Sequence, residues 1–166
     1  MRLGTSQFLN TRRNLIFDAY AIKSDNQDKP KNNRSFGLGM DLPSDFLSFS
    51  TNWKQIDGNF KPALGFVPRS NVRSLNIATV FSPRPKHFLN VRRMSHEFRV
   101  ARFTRLDTGR VESWRVMTAP VHYFFNSGDV VEFNWVPTFE RLFTPFEIAP
   151  KVVLPPGGYR FTRWRA

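Results

Sequence analysis

The chain has 166 residues, a net charge of +12 and no cysteine, which excludes disulfides and thiolate metal sites. A membrane-spanning helix is also excluded, because no apolar run approaches the ~18 residues that such a helix needs. Eighteen phenylalanines and four tryptophans are a large aromatic share for this length. They suit strands that are apolar on one face and wet on the other.

Apolar and polar residues alternate along much of the chain, and a period of two is the side-chain repeat of a β-strand. The alternation predicts an all-β fold, an antiparallel up-and-down meander of about eight strands. Around Arg99–Arg105 neither phase is clean, which predicts a bulge or a departure from the apolar layer. The predicted strands are about 13–23, 34–42, 46–56, 72–82, 87–106, 110–125, 129–142 and 158–165.

The two phases of these strands define two faces, which is clearest at 129–141. The apolar phase faces either a protein core or lipid, and the sequence leaves both open. In a membrane barrel the apolar phase faces lipid and the polar phase faces the lumen. The predicted lipid-facing residues are Leu47, Phe49, Trp53, Val131, Phe133, Trp135 and Phe139. The predicted lumen-facing residues are Lys54, Glu112, Glu132, Asn134 and Glu140.

Connections of two lengths alternate along the chain. Short turns are predicted at 43–45, 82–86 and 126–129, and long connections at 24–33, 57–71 and 143–157. The exception is the short turn at 107–109, which joins the two longest strands. Outer-membrane barrels show this polarity, with short turns at one end and long loops at the other.

Two of the long connections resemble signatures of a family of large bacterial envelope proteins. Members of that family join a carbohydrate-binding module similar to family nine to a C-terminal domain of unknown function that looks like an outer-membrane β-barrel. At Lys151 the family pattern has glycine. The residues that carry the resemblance are Asn59, Phe60, Pro62, Gly65, Phe66, Pro68 and Arg69 in the first connection, and Pro145, Phe146, Glu147, Ile148 and Pro150 in the second.

The resemblance implies that residues 1–166 are one internal segment of a larger barrel, without the export signal and the carbohydrate-binding module. It implies an outer-membrane location, lipid as the partner, and carbohydrate as a partner through the missing module. It brings no established reaction and no catalytic residues. The two loops that carry it are apolar, which predicts that they pack on the barrel rim, in the lumen as a plug, on a partner or on each other, with the rim the simplest of these.

Aromatic residues near the strand ends are predicted to form the interfacial girdles of a barrel. Ordinary packing at strand ends is the alternative. Two further sets of charges are assigned by position. Arg73, Glu97 and Arg99 are expected in the lumen. The cations expected near lipid phosphates or in solvent are Arg69, Arg84, Lys86, Arg92, Arg93, Arg160, Arg163 and Arg165.

Catalytic machinery is not visible in the sequence. His87, His96 and His122 lack metal-ligand spacing, and no phosphate-binding or dinucleotide-binding glycine loop occurs. We therefore expect no enzyme, no metal and no cofactor. The remaining alternative to the barrel is a soluble basic all-β module that binds nucleic acid, which the net charge favours. The spread of basic residues over nearly every strand argues against it.

Overall fold

The computed structural model describes residues 1–8, 14–25 and 31–166, and all of its regular elements there are strands. None of these residues belongs to a helix long and apolar enough to cross a membrane. The strands are β1 (Arg2–Thr5), β2 (Leu15–Lys23), β3 (Arg34–Leu42), β4 (Leu47–Ile56), β5 (Val72–Phe81), β6 (Val91–Met94), β7 (His96–Arg105), β8 (Val111–Phe125), β9 (Val130–Leu142), β10 (Phe146–Ala149), β11 (Val152–Leu154) and β12 (Gly157–Arg165).

One antiparallel sheet has the order β1-β2-β3-β4-β5-β7-β8-β9-β12, so that neighbours in the sheet are neighbours along the chain. Strands β6 and β7 both pair with β8. They are consecutive parts of one strand that is interrupted at Ser95. The short hairpin β10–β11 stands apart, inside the connection from β9 to β12. The predicted all-β antiparallel meander is confirmed.

The structure differs from the predicted strands in three places. Strand β1 adds an edge beside β2, and β10 and β11 lie in a predicted loop. The strand predicted from residue 87 begins only at Val91, because Leu89 and Asn90 have positive φ angles of 44° and 59°, which interrupt an extended chain. Residue 13, the predicted start of another strand, lies outside the described residues.

The irregularity predicted around Arg99–Arg105 is confirmed. The register between β7 and β8 shifts after Phe103, because Phe103 pairs with Ser113 whereas Thr104 pairs with Val111. Glu112 is the extra residue of this bulge. Its side chain is thereby turned out of the regular alternation of β8.

The sheet curves around a cavity. Residues from β2 to β12, which lie seven places apart in the sheet order, line the same space of about 570 Å³. The cavity side is the concave face, and the other side is the convex face. Because residues paired across antiparallel strands share a face, the registers assign every strand residue to one of the two.

The connections fall into two groups at opposite ends of the strands, as the antiparallel order requires. The connections 24–33, 57–71, 106–110 and 143–156 lie at one end, here the long-loop end. The connections 43–46, 82–90 and 126–129 lie at the other, the short-turn end, and so do the described ends of the connection from β1 to β2. The predicted turn at 82–86 is longer than expected, because 87–90 joins it.

Candidate functional site

Apolar side chains predominate in the central cross-strand rows of the convex face. Its middle row of cross-strand partners includes Thr51, Ile77, Val100 and Val116. The neighbouring rows hold all four tryptophans: Trp53 and Trp114 toward the long-loop end, and the directly paired Trp135 and Trp164 toward the short-turn end. Large apolar side chains therefore occur on this face across the width of the sheet, and Arg102 and Arg160 interrupt the row of Trp53 and Trp114.

Burial is reversed relative to polarity. In β9 the polar Asn134 is 7% exposed, whereas its neighbour Trp135, on the convex face, is 39% exposed. The buried polar residues Ser35, Ser74, Ser113 and Thr138 also lie on the concave face. The convex face instead carries exposed apolar side chains on many strands: Leu3, Phe17, Leu38, Leu47, Phe81, Phe98, Val131, Trp135 and Trp164.

The sequence-predicted apolar set shares this convex face. Phe139 belongs to it by register but is buried, because Trp114 stacks on it at 6.2 Å and the guanidinium of Arg141 lies 5.5 Å from its ring centroid. Gly158 makes room for the ring, since a Cβ there would lie 2.9 Å from it. The residues that share the face are Leu47, Phe49, Trp53, Val131, Phe133, Trp135 and Phe139.

Rings form a continuous chain near the short-turn end. Phe46 contacts Phe81, Phe81 stacks on His96, and His96 contacts Tyr123, with centroid separations of 5.0, 6.0 and 5.9 Å. Phe88 extends the chain to the next connection, 6.4 Å from Tyr123. Phe46, Phe81, Phe88 and Tyr123 are among the aromatic residues near strand ends that the sequence assigned to a girdle. The sequence did not include His96, whose Nδ1 lies 2.8 Å from the carbonyl oxygen of Pro120.

The predicted polar set lies on the concave face or at its rim. Lys54 pairs with Gly37 and Ser74 in register. The Nδ2 group of Asn134 donates a 2.6 Å hydrogen bond to Glu132 Oε1. Glu112 sits at the bulge near Glu140, and both are held by one loop arginine. The full set is Lys54, Glu112, Glu132, Asn134 and Glu140.

That arginine is Arg69, from the connection between β4 and β5. Its guanidinium donates a 2.8 Å hydrogen bond to Ser113 Oγ and forms ion pairs of 3.4 Å with Glu112 and 3.6 Å with Glu140. It also lies 4.5 Å from the ring centroid of Phe103. The 57–71 loop is thereby attached to the concave side, whereas the sequence placed Arg69 near lipid phosphates or solvent.

A second arginine also differs from expectation. Arg73 was expected in the lumen, but it pairs with Gln55 on the convex face and lies 5.8 Å from the ring centroid of Trp53. Arg163 and Arg165 were expected near lipid phosphates or in solvent, and both are exposed. Arg163 lines the cavity, and Arg165 pairs with Asn134 of the concave face.

The first loop signature packs partly on the neighbouring connection. Asn59 Nδ2 donates to the carbonyl oxygen of Lys31 at 2.8 Å, the amide of Lys61 donates to Ser24 Oγ at 3.0 Å, and Phe60 is buried. Beyond it, Leu64 and Phe66 flank Gly65 and are 92% and 87% exposed. The apolar tips of the two signature loops, including Phe146 and Ile148, remain in the open, so the predicted packing of one on the other is not seen at these side chains.

The second signature forms the β10–β11 hairpin. Lys151, where the family pattern has glycine, adopts a positive φ of 67° in its turn. That conformation favours glycine. The amide of Lys151 donates to Glu147 Oε1 at 3.0 Å.

Comparisons with protein-family models, curated proteins and solved structures each return no significant match. Within the described ranges, no group of three or more histidine, aspartate or glutamate residues is placed to hold a metal ion. His122 Nδ1 lies 3.9 Å from Glu97 Oε1, too far for a hydrogen bond.

Proposed function

We propose that this chain is a segment of a bacterial outer-membrane β-barrel, in which the convex face contacts lipid and the concave face lines the lumen. Its role in this proposal is non-enzymatic, the binding or uptake of carbohydrate or another envelope polymer. The observation that carries the proposal is the reversal of burial, with exposed rings on the convex face and sheltered polar groups on the concave face. Hydrocarbon is the solvent in which that arrangement is stable.

The size of the apolar face supports lipid over water. Soluble monomers rarely expose contiguous apolar patches larger than a few hundred Å². Here exposed apolar side chains occur on β1, β2, β3, β4, β5, β7, β9 and β12. A second sheet or a helix that would cover them does not occur in the described part of the chain.

Strand length supports the same proposal. Strands β2, β3 and β12 have 9 residues, and β4, β5 and β7 have 10. A tilted transmembrane strand needs about 9–11 residues to cross the hydrocarbon layer. The ring chain at the short-turn end occupies the level expected for an interfacial girdle.

The soluble polyanion-binding alternative rests on the net charge of +12. Its basic residues do not gather on one surface. Arg102 and Arg160 lie on the convex face, Arg99 and Arg115 line the cavity, and Arg92 is at the short-turn end. A nucleic-acid groove concentrates its cations on one face.

The proposal is tested by lipid contact at the tryptophans, which all lie on the convex face. The chain is refolded into phosphatidylcholine vesicles, and tryptophan fluorescence is compared in ordinary lipid and in lipid with brominated acyl chains. We expect strong quenching by the brominated chains. Unquenched fluorescence together with recovery of folded protein from the soluble fraction, without detergent, would support the polyanion-binding alternative.

A matched pair of substitutions separates the two faces. Ile77→Lys places a charge in the middle row of the convex face, at a cost of about 2–4 kcal/mol near the bilayer midplane. Asn76→Lys places the same charge one residue away, on the concave face, where Asn76 pairs with Asn52 and Ala101. We expect the first variant to insert poorly and the second to insert like the unsubstituted chain. Equal insertion of both variants would contradict lipid contact at this face.

A further inference from the structure

Charged side chains in the cavity are separated into two walls. Asp18 on β2 and Asp41 on β3 lie on one side, and Arg99 on β7, Arg115 on β8 and Arg163 on β12 lie on the other. All five line the same space of about 570 Å³. A cavity of this volume is within the range that binds small polar molecules.

The registers show that the two walls belong to the same cross-strand rows. One row runs from Asp41 through Ser50 and Ala78 to Arg99. The next runs from Asp18 through Gly39, Asn52, Asn76 and Ala101 to Arg115. Each row therefore has a carboxylate at one end and a guanidinium at the other, with small or uncharged residues between them. The small residues keep the middle of the cavity open.

Pairing within the protein leaves part of this charge unused. Asp18 is held by Arg2 at 3.4 Å, and Arg99 by Glu97 at 3.0 Å. For Asp41, Arg115 and Arg163, no side-chain hydrogen bond or ion pair forms with any other described residue. Asp41 is half-buried, and Arg115 and Arg163 are exposed to the open side of the cavity. Because no protein group pairs with them, all three are available to a ligand.

We infer that the cavity binds an acidic saccharide, with the ligand carboxylate at Arg115 and Arg163 and its hydroxyl groups at Asp41, Ser50 and Asn76. A guanidinium presents parallel N–H donors that match a carboxylate. A carboxylate such as Asp41 accepts hydrogen bonds from hydroxyl groups, and amides both donate and accept. A neutral sugar would leave both arginines without a counter-charge.

The inference rests on the proposed function, since it takes the concave face to be the inside of the barrel. The acidic-saccharide site adds a ligand class to the proposed function. Net charge distinguishes this site from a general polar lumen, because the unpaired groups comprise two cations and one anion. An anion with hydroxyl groups satisfies all three.

The test uses glucuronate as the probe and glucose as its matched neutral control. Binding to the full chain in detergent micelles is measured by isothermal titration calorimetry. We expect glucuronate to bind at least about tenfold more tightly than glucose, because an ion-paired hydrogen bond is stronger than a neutral one. Equal binding of the two sugars, or no binding of either, overturns the inference without any variant.

Variants locate the site. Arg115→Gln and Arg163→Gln should each weaken glucuronate binding about tenfold or more and leave glucose binding nearly unchanged. Arg110→Gln removes the same charge from an exposed turn and should change neither. Unweakened glucuronate binding by folded Arg115→Gln and Arg163→Gln, checked by circular dichroism, places the anion elsewhere and overturns the inference.

The two proposals fail separately. Brominated-lipid quenching without glucuronate binding keeps the barrel and overturns the acidic-saccharide site. Glucuronate binding without quenching keeps the site and overturns the membrane assignment. Both measurements use the same purified chain.

Discussion

Arg69 and Ser113 are separated by 44 residues in sequence, yet the guanidinium of Arg69 donates a 2.8 Å hydrogen bond to the hydroxyl of Ser113. The same guanidinium reaches Glu112 and Glu140, on adjacent strands. One loop side chain therefore ties the β4–β5 connection to the rim of the concave face on β8 and β9.

Removing this tie should destabilise the protein. Arg69→Met keeps much of the alkyl stem but leaves Glu112 without its cation, and we expect a loss of about 1–2 kcal/mol in the free energy of unfolding. Urea unfolding in detergent micelles measures it. Arg110→Gln is the matched control in another long-loop-end connection, and should change stability by less than about 0.5 kcal/mol. Similar losses in both variants would contradict a specific role for Arg69.

Local periodicity was enough to predict most strands, because each residue of a two-faced sheet reports its own environment. Arg73 shows where it fails. Val72 begins β5 on the concave face, where it is buried, so the arginine that follows this apolar residue was assigned to the wrong face. The strands β10 and β11 were missed because they are short and lie in a proline-rich connection.

Long-range relationships were beyond the reach of the sequence. The contact of Arg69 with Ser113 and the two charged walls depend on which strands meet and in what register. Asp41 and Arg99 look unrelated along the chain, because they share a row only through Ser50 and Ala78. The cavity site was therefore not predicted, although every residue in it was visible.

Close packing at Gly37 gives a second prediction. A Cβ there would lie 2.6 Å from Tyr20 Cε1 and 3.0 Å from the carbonyl oxygen of Trp53. Gly37→Ala should cost about 1–3 kcal/mol of unfolding free energy, since the ring must move from its place near Ser35. Gly4→Ala is the control, because its nearest atom would be at an ordinary 3.7 Å.

A double-mutant cycle identifies the Tyr20 ring as the cause. In a Tyr20→Ala background the cost of Gly37→Ala should fall by about 1 kcal/mol, leaving only the contact with the carbonyl oxygen of Trp53. Denaturant unfolding of the four proteins gives the coupling energy. Additive effects would show that the ring does not restrict this position.

The turn at Lys151 gives a third prediction. A left-handed conformation costs a lysine about 1–2 kcal/mol, and glycine adopts it freely at the expense of unfolded-chain entropy. Lys151→Gly should therefore stabilise the β10–β11 hairpin by about 0.5–1 kcal/mol. Amide hydrogen exchange in Val152–Leu154 should slow by a factor of about two to five, since 1.4 kcal/mol corresponds to a factor of 10.

Lys86→Gly is the control for the glycine itself. Lys86 lies in a connection but is not among the residues with positive φ. Glycine there gains no relief of backbone strain and should not slow amide exchange in the hairpin. If Lys151→Gly speeds exchange, the left-handed turn is not the feature that limits hairpin stability.

The 106–110 turn contains Asp107, and the pKa of its carboxyl group reports the hydrogen bonds that the group accepts from Arg105 and Asn71. The hydrogen bond from Arg105 holds the pKa of Asp107 well below its usual range, and a second hydrogen bond from Asn71 acts in the same direction. Because the pKa of Asp107 is lower in the folded than in the unfolded chain, its stabilising effect is present above the unfolded value of about 3.9. That effect is lost as the pH falls through the folded value.

Carboxyl-carbon NMR of the folded protein measures this pKa directly. We expect the Asp107 midpoint below pH ~3.9 in the unsubstituted chain and a rise toward that value in Arg105→Gln, which removes the main donor. Arg110→Gln removes an equal charge from the same turn without removing a hydrogen bond to Asp107, so the midpoint should stay low. An equal rise in both variants would mean that net positive charge, and not the Arg105 hydrogen bond, lowers the pKa of Asp107.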